Sequence, residues 1–285
     1  MRKFDSNQPG IPPTYRGRLA PSPTGYLHVG HARTFWTAAN RCLNAQGTLV
    51  LREEDLDFSR VRPEFSKGLL EDLGWFGLDW QEGPDCGGQF GPYLQSRRLD
   101  FYRETLQILF NKGLIYPCVC SRQDIIRSIA APHANEEEPI YPGSCRNREG
   151  RIGTRVNWRF RVPDGDAVEF VDENLGPQRF VAGIDFGDFV VWRADDLPAY
   201  QLAVVTDDAA MGITEVVRGA DLLLSTARQL LLYNVLSLRI PRFYHCLLTK
   251  DEQGEKLSKR HNDLTLRVLR DRGWSPEQLR MKWVA

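Results

Sequence analysis

The sequence predicts an α/β fold: a parallel sheet whose two halves are separated by a mostly antiparallel unit inserted between them. Three observations carry this expectation. Residues 15 to 53 read strand, turn, helix, strand, the opening of a parallel βαβ unit. From about residue 115 to 197 short β-like runs alternate with Asp-Gly, Leu-Gly-Pro and Phe-Gly-Asp breakers. After residue 198 long apolar segments return, and with them the α/β pattern.

Taken in order, YRGRLAPS (15–22) is a short strand running into a turn. The segment from Val29 to Ala45 carries Val29, Ala32, Phe35, Trp36, Ala39 and Leu43 at helical spacing, and TLVLRE (48–53) is a second strand. Residues 63–79 and 97–113 are amphipathic helix candidates, separated by the Gly-rich loop EGPDCGGQFGP. RVNWRFRV, DAVEFVD and DFVVWRA supply the strands of the insertion. Residues 199–236 are expected to hold two buried strands and a strongly apolar helix, followed by RFYHCLLT as a further strand. The organisation expected is a disordered leader over 1–14, the first half of the parallel domain over 15–114, the insertion over 115–197, the second half over 198–255, and a charged loop with a short helical tail over 256–285.

With 285 residues, 42% of them hydrophobic, the chain can bury a substantial core. Lys+Arg and Asp+Glu both total 37, so no global basic field announces nucleic acid and any RNA contact must be local. No run of 18 apolar residues appears, and MRKFDSNQPGIPPT lacks the apolar stretch of a secretory signal. The expectation is a cytoplasmic monomer with no membrane contact. Six cysteines are too few for a disulfide scaffold, and three of them crowd between residues 118 and 145, which suggests a metal.

Two segments point to phosphate chemistry. In RLAPSPTGYLHVGHARTFW (18–36), His28 and His31 stand at i and i+3 behind a Pro/Ser/Gly turn, at a helix start whose unpaired amides suit an anion. Two imidazole donors there would stabilise charge developing on a leaving pyrophosphate without a covalent step. In EKLSKRHN (255–262), Lys256 and Lys259 bracket Ser258 in a charged loop, a pattern able to follow phosphates as they move. The third constellation is CVC at 118–120 with YPGSC at 141–145: Cys118, Cys120 and Cys145 offer three soft ligands where Zn²⁺ wants four. Spacing leaves the fourth open between His133 and Tyr141.

HVGH and KLSKR resemble the HIGH and KMSKS signatures of the class I aminoacyl-tRNA synthetases, and RLAPSPTGYLHVGH, LREED and EVVRGADLL resemble its glutamyl branch. The resemblance spans residues 16–262. It implies a Rossmann-like parallel sheet with an inserted zinc-containing α+β subdomain, and activation of L-glutamate to glutamyl adenylate, ATP and Mg²⁺ entering as a substrate complex. By the matching positions it implies that Arg18, Leu19, Ala20, Pro21 and Ser22 hold the amino acid, that Glu54 receives its ammonium group, and that Tyr200 and Arg218 complete the pocket. It further implies that His28, His31, Lys256, Ser258 and Lys259 are catalytic, that His28, Gly30, His31 and Lys259 bind ATP, and that one structural zinc sits on Cys118, Cys120, Tyr141 and Cys145. The charges are apt, because a dicarboxylic amino acid needs a cation for its side chain and an anion for its amine.

Residues 261–285 follow KLSKR in this sequence, and no helical anticodon reader is expected. The chain therefore resembles the shortened paralogues of that branch, in which glutamate is esterified to queuosine in the anticodon stem-loop of tRNA(Asp). The alternatives are a compact synthetase charging tRNA(Glu) and an RNA-binding paralogue without catalysis.

Overall fold

The computed structural model describes residues 14–121, 123–125, 140–147, 155–248 and 264–284. Strand β1 (Arg16–Leu19) pairs in parallel with β2 (Thr48–Leu51), Arg16 opposite Thr48 and Leu19 opposite Leu51. Helix α1 (Val29–Asn44) makes the crossover between them. Its buried stripe is Ala32, Phe35, Ala38 and Cys42. Leu43, expected in that stripe, is 74% exposed, because the stripe advances by three and four residues and position 42 already fills the last turn of the packed face. The return to β2 passes Gly47, where a Cβ would stand 2.5 Å from the Tyr15 carbonyl oxygen, so only glycine fits.

Helix α2 (Pro63–Trp75) has Pro63 in its first turn, where a missing N–H costs nothing. Helix α3 (Leu99–Asn111) leads into β3 (Ile115–Cys118). The segment that follows is antiparallel, as its breaker-rich texture predicts. Strands β3, β4 (Asn157–Phe160) and β7 (Phe189–Trp192) form one sheet in the order β3-β4-β7, and β5 (Ala167–Asp172) with β6 (Gly176–Val181) forms a hairpin.

Residues 199–236 depart from expectation. The first apolar run is a helix, α4 (Tyr200–Ala210), followed by β8 (Glu215–Gly219) and helix α5 (Leu223–Val235). Leu202, Ala203, Val204 and Val205 are all buried, so the run is apolar all round and its periodicity cannot separate helix from strand. Strand β9 (Arg242–Cys246) pairs in parallel with β8. The two parallel pairs meet where Thr214 N–H donates to the Arg16 carbonyl (2.9 Å) and Arg16 N–H donates to Thr214 Oγ1 (2.9 Å), giving the spatial order β2, β1, β8, β9. Helices α6 (Leu266–Asp271) and α7 (Pro276–Val284) close the chain. Among the described residues no helix is long and apolar enough to cross a membrane.

Beneath the carboxyl ends of these strands lies a buried charge network. Arg52, fully buried, donates to Asp208 (2.7 Å) and Glu54 (3.0 Å), while Asp207 accepts from Arg98 (2.6 Å), Tyr102 (2.8 Å) and Gln95 (2.8 Å). Asp207 is held by three donors and Asp208 and Glu54 are each paired with Arg52, as charges removed from water require.

Candidate active site

A cavity of ≈ 550 Å³ opens at the carboxyl ends of β1 and β8, the place where parallel α/β sheets bind ligands. Ten of the residues expected at the site line it. Arg18, Ala20, Pro21 and Ser22 come from β1 and its turn, and His28, Gly30 and His31 from the start of α1. Glu54 follows β2, Tyr200 opens α4, and Arg218 ends β8. Leu19 does not belong with them: its side chain is fully buried in the core beneath the sheet, since alternation along a strand turns it away from the face that Arg18 and Ala20 share. Lys256, Ser258 and Lys259 lie outside the described residues, as does His133. The chain on either side of that lysine segment is at the site, Leu248 in the cavity wall and Thr265 bridged to His28.

His28 is the N-cap of α1, its Nδ1 accepting from Gly30 N–H at 3.1 Å. In the neutral ring that places the proton on Nε2. The rings of His28 and His31 stack at 3.7 Å between centroids, so both imidazoles stand at the positive end of the helix dipole. The arrangement presents amides and ring donors to an anion.

The part of the cavity between the ends of β1 and β8 holds two buried arginines. Arg18 donates from Nη1 to the Val217 carbonyl (2.9 Å) and lies 3.7 Å from Asp208 through Nε. Burial holds its pKa below the usual arginine value. Glu54 is raised above the usual carboxylate range by burial, with Arg52 and Arg18 opposing. Arg218 donates from Nη2 to Thr226 Oγ1 (2.7 Å) and Gln229 Oε1 (2.8 Å) and from Nε to His245 Nε2 (3.3 Å), while its buried Nη1 has no hydrogen-bond partner among the described residues. Two cations and an anion thus line one open cleft.

Sequence reasoning missed the groups that hold these side chains: Arg52, Asp208, His245 and Asp172. The Asp207-Asp208 pair inside an apolar run was a usable signal, since buried carboxylates need cationic partners. His245, fully buried, is pushed down to about 4, first by burial and then by the Arg218 charge, with Asp172 opposing. The unfolded imidazole titrates near 6.5, so between about 4 and 6.5 the unfolded chain takes up a proton that the folded chain refuses. Stability is therefore expected to rise with pH through that window and to level off above it. A pH series of urea unfolding should show His245→Gln flattening this rise by about 3 kcal/mol.

Away from the cavity, Cys118, Cys120 and Cys145 place their Sγ atoms within 4.8 Å of one another. The Tyr141 hydroxyl lies 3.4 Å from Cys118 Sγ and 3.7 Å from Cys120 Sγ, and accepts from Cys145 N–H at 2.8 Å. Thiolates around a tetrahedral zinc stand ~3.8 Å apart, so three sulfurs and a phenol at these separations fit one ion. Burial raises the Cys145 thiol, but hydrogen bonds from Tyr141, the Val119 backbone and the neighbouring thiols outweigh it and bring it down to about 7. Arg159 donates to Cys118 Sγ (3.2 Å) and stacks over the Tyr141 ring (3.9 Å), a cation placed to balance an anionic ligand set.

Residues 14–283 match the family model described as tRNA synthetases class I (E and Q), catalytic domain. The chain is 48% identical over 265 residues to the glutamyl-Q tRNA(Asp) synthetase of Nitratidesulfovibrio vulgaris, covering 90% of this chain and 82% of that protein. It is 42% identical over 269 residues to a glutamate–tRNA ligase 2 of Nitrosococcus oceani, covering 92% of this chain and 57% of that one. Among solved structures it is similar to the glutamate–tRNA synthetase of Elizabethkingia anophelis, with TM-score 0.77 and 30% identity over 88% of this chain. The chain spans about half the length of that synthetase, 53%.

Proposed function

Because the chain belongs to the class I tRNA synthetases of the glutamate and glutamine type, through their catalytic domain, we propose that it activates L-glutamate with ATP and esterifies it to queuosine in the anticodon stem-loop of tRNA(Asp). The observation that carries the reading is the cavity itself, whose wall carries Arg18, Arg218 and Glu54 together with the amino end of α1.

In this reading Arg18 and Arg218 take the side-chain carboxylate of glutamate and Glu54 takes its ammonium group, with the α-carboxylate directed toward α1. That carboxylate attacks the α-phosphorus of ATP and pyrophosphate departs, its charge met by the α1 amides, His28 and His31. Lys259 is assigned to the ATP phosphates, with Lys256 and Ser258 as further catalytic residues of the same motif. A hydroxyl of the acceptor then attacks the adenylate carbonyl and AMP leaves. The protein forms no bond to either intermediate; its part is placement and charge.

The choice of queuosine rests on the relative at 48% identity that carries that name, against 42% for the glutamate–tRNA ligase. Labelled glutamate is expected to appear on queuosine-containing tRNA(Asp) and to be absent when the same RNA lacks queuosine. Label on tRNA(Glu) instead would establish the other reading, a compact synthetase charging tRNA(Glu). We read the enzyme as a cytoplasmic monomer and residues 115–197 as an insertion facing the RNA.

Cys118, Cys120, Tyr141 and Cys145 would hold a structural zinc that ties β3 to the turn at 141–145. Elemental analysis should find about one zinc per chain, and Cys118→Ser should lose it and lower Tm by several degrees while glutamate-dependent ATP–pyrophosphate exchange persists. Exchange abolished with the fold intact would place the metal in catalysis.

A further inference from the structure

Arg218 is held by side chains from two separate stretches of chain, none of which lines the cavity. Thr226 and Gln229 reach its Nη2 from α5, and His245 reaches its Nε from β9. Behind His245, on the side away from the arginine, stands Asp172, the last residue of β5 in the inserted unit, with Oδ2 2.6 Å from His245 Nδ1. None of the roles assigned above uses Asp172 or His245.

We propose that Asp172 is a positioning residue for Arg218, acting through the tautomer of His245 so that the guanidinium presents Nη1 to the substrate. The proposal rests on the reading of Arg218 as a ligand of glutamate. A carboxylate has no proton to give, so the ring proton sits on Nδ1, donated to Asp172, and Nε2 is left as an acceptor. An acceptor is what Arg218 Nε–H requires. The opposite tautomer would set an N–H against the guanidinium N–H, leaving Thr226 Oγ1 (3.0 Å) to accept it and Arg218 Nε–H without its acceptor. With Nε and Nη2 engaged, the buried Nη1 is the nitrogen left without a partner among the described residues, on a side chain that lines the cavity.

Asp172 is itself fixed. Its Oδ1 accepts from Asn174 N–H (3.1 Å) and Leu175 N–H (2.9 Å), and His245 N–H lies against both carboxylate oxygens (3.3 and 3.1 Å). The same hairpin tip grips β9: Glu173 N–H donates to the Phe243 carbonyl (2.9 Å) and Asn174 Nδ2 to the His245 carbonyl (2.8 Å). An element of the insertion thereby sets the direction of a side chain in the amino-acid pocket. The hydrogen bonds to its own turn could make Asp172 merely a turn cap, and the test separates the two roles.

The variant is Asp172→Asn in the full chain, assayed by ATP–pyrophosphate exchange. Its amide can donate to Nδ1 and drive the ring to the Nε2–H form, so KM for glutamate should rise on the order of tenfold, with KM for ATP within about twofold of the parent. Nitrogen-15 shifts of His245 without substrates should report Nδ1–H in the parent and Nε2–H in the variant. In a His245→Gln background, which has no tautomer to set, adding Asp172→Asn should change glutamate KM by less than about twofold. The proposal is overturned by a folded Asp172→Asn with unchanged glutamate KM, by equal loss for both substrates, or by a further tenfold effect in the His245→Gln background. A parent ring protonated on Nε2 overturns it without any variant. A parent protein inactive with glutamate fails the functional reading instead, and the ring tautomer then decides the relay alone.

Discussion

Replacing Arg218 by alanine is expected to lower kcat/KM for glutamate activation by about a thousandfold, with the fold retained. Two losses combine. The substrate carboxylate loses a charge-assisted donor, and Gln229 and Thr226, both buried, lose the cation they were turned toward. Truncating one member of a buried charge interaction costs roughly 2–5 kcal/mol, and ~4 kcal/mol corresponds to about three decades of rate. Arg218→Lys should recover little, because an ammonium cannot engage Thr226, Gln229 and His245 and still present a donor to the cavity. Exchange kinetics with varied glutamate would check it; a loss below tenfold would remove Arg218 from substrate binding.

The second large effect is on folding. Asp207→Ala should destabilise the protein by about 3–5 kcal/mol, measured as a shift in urea midpoint at unchanged slope. Asp207 is fully buried, accepts from Arg98, Tyr102 and Gln95, and lies 3.6 Å from Arg52. Removing it leaves two buried guanidinium groups, Arg52 and Arg98, undercompensated. Set against a total stability of ~5–15 kcal/mol, that leaves a marginal protein. The folded remainder should keep its KM for glutamate, since Asp207 does not line the cavity. A loss under 1 kcal/mol would show that water reaches the network.

Much of this was legible in the sequence wherever local pattern and local structure coincide. β1, α1 and β2 follow from a strand, a turn and a helical stripe, and the antiparallel texture of the insertion follows from its breakers. Helix α4 was not legible, because Leu202 to Val205 are buried on every side and the deciding information lies in α3 and α5 packed around them. Arg18, Glu54, Tyr200 and Arg218 were reached through motifs, not through any property of an isolated arginine or glutamate. The Asp172–His245 pair was beyond reach, for its members are 73 positions apart and each alone reads as an ordinary hairpin or strand residue. Leu19 shows the opposite error, a motif carried over whole although every second side chain of a strand points away.

The split sheet also bears on how the protein is made. β1 ends at residue 19, and its neighbour β8 begins at residue 215. At ribosomal speeds of 5–20 residues per second, the ~200 residues between them take about 10–40 s to emerge. Throughout that interval the edge of β1 that β8 will cover has no strand beside it, and α1 packs on β1 and β2 but lacks the part of its contact that β8 supplies, so nascent chains of this protein are expected to present an open strand edge to chaperones until synthesis passes β9.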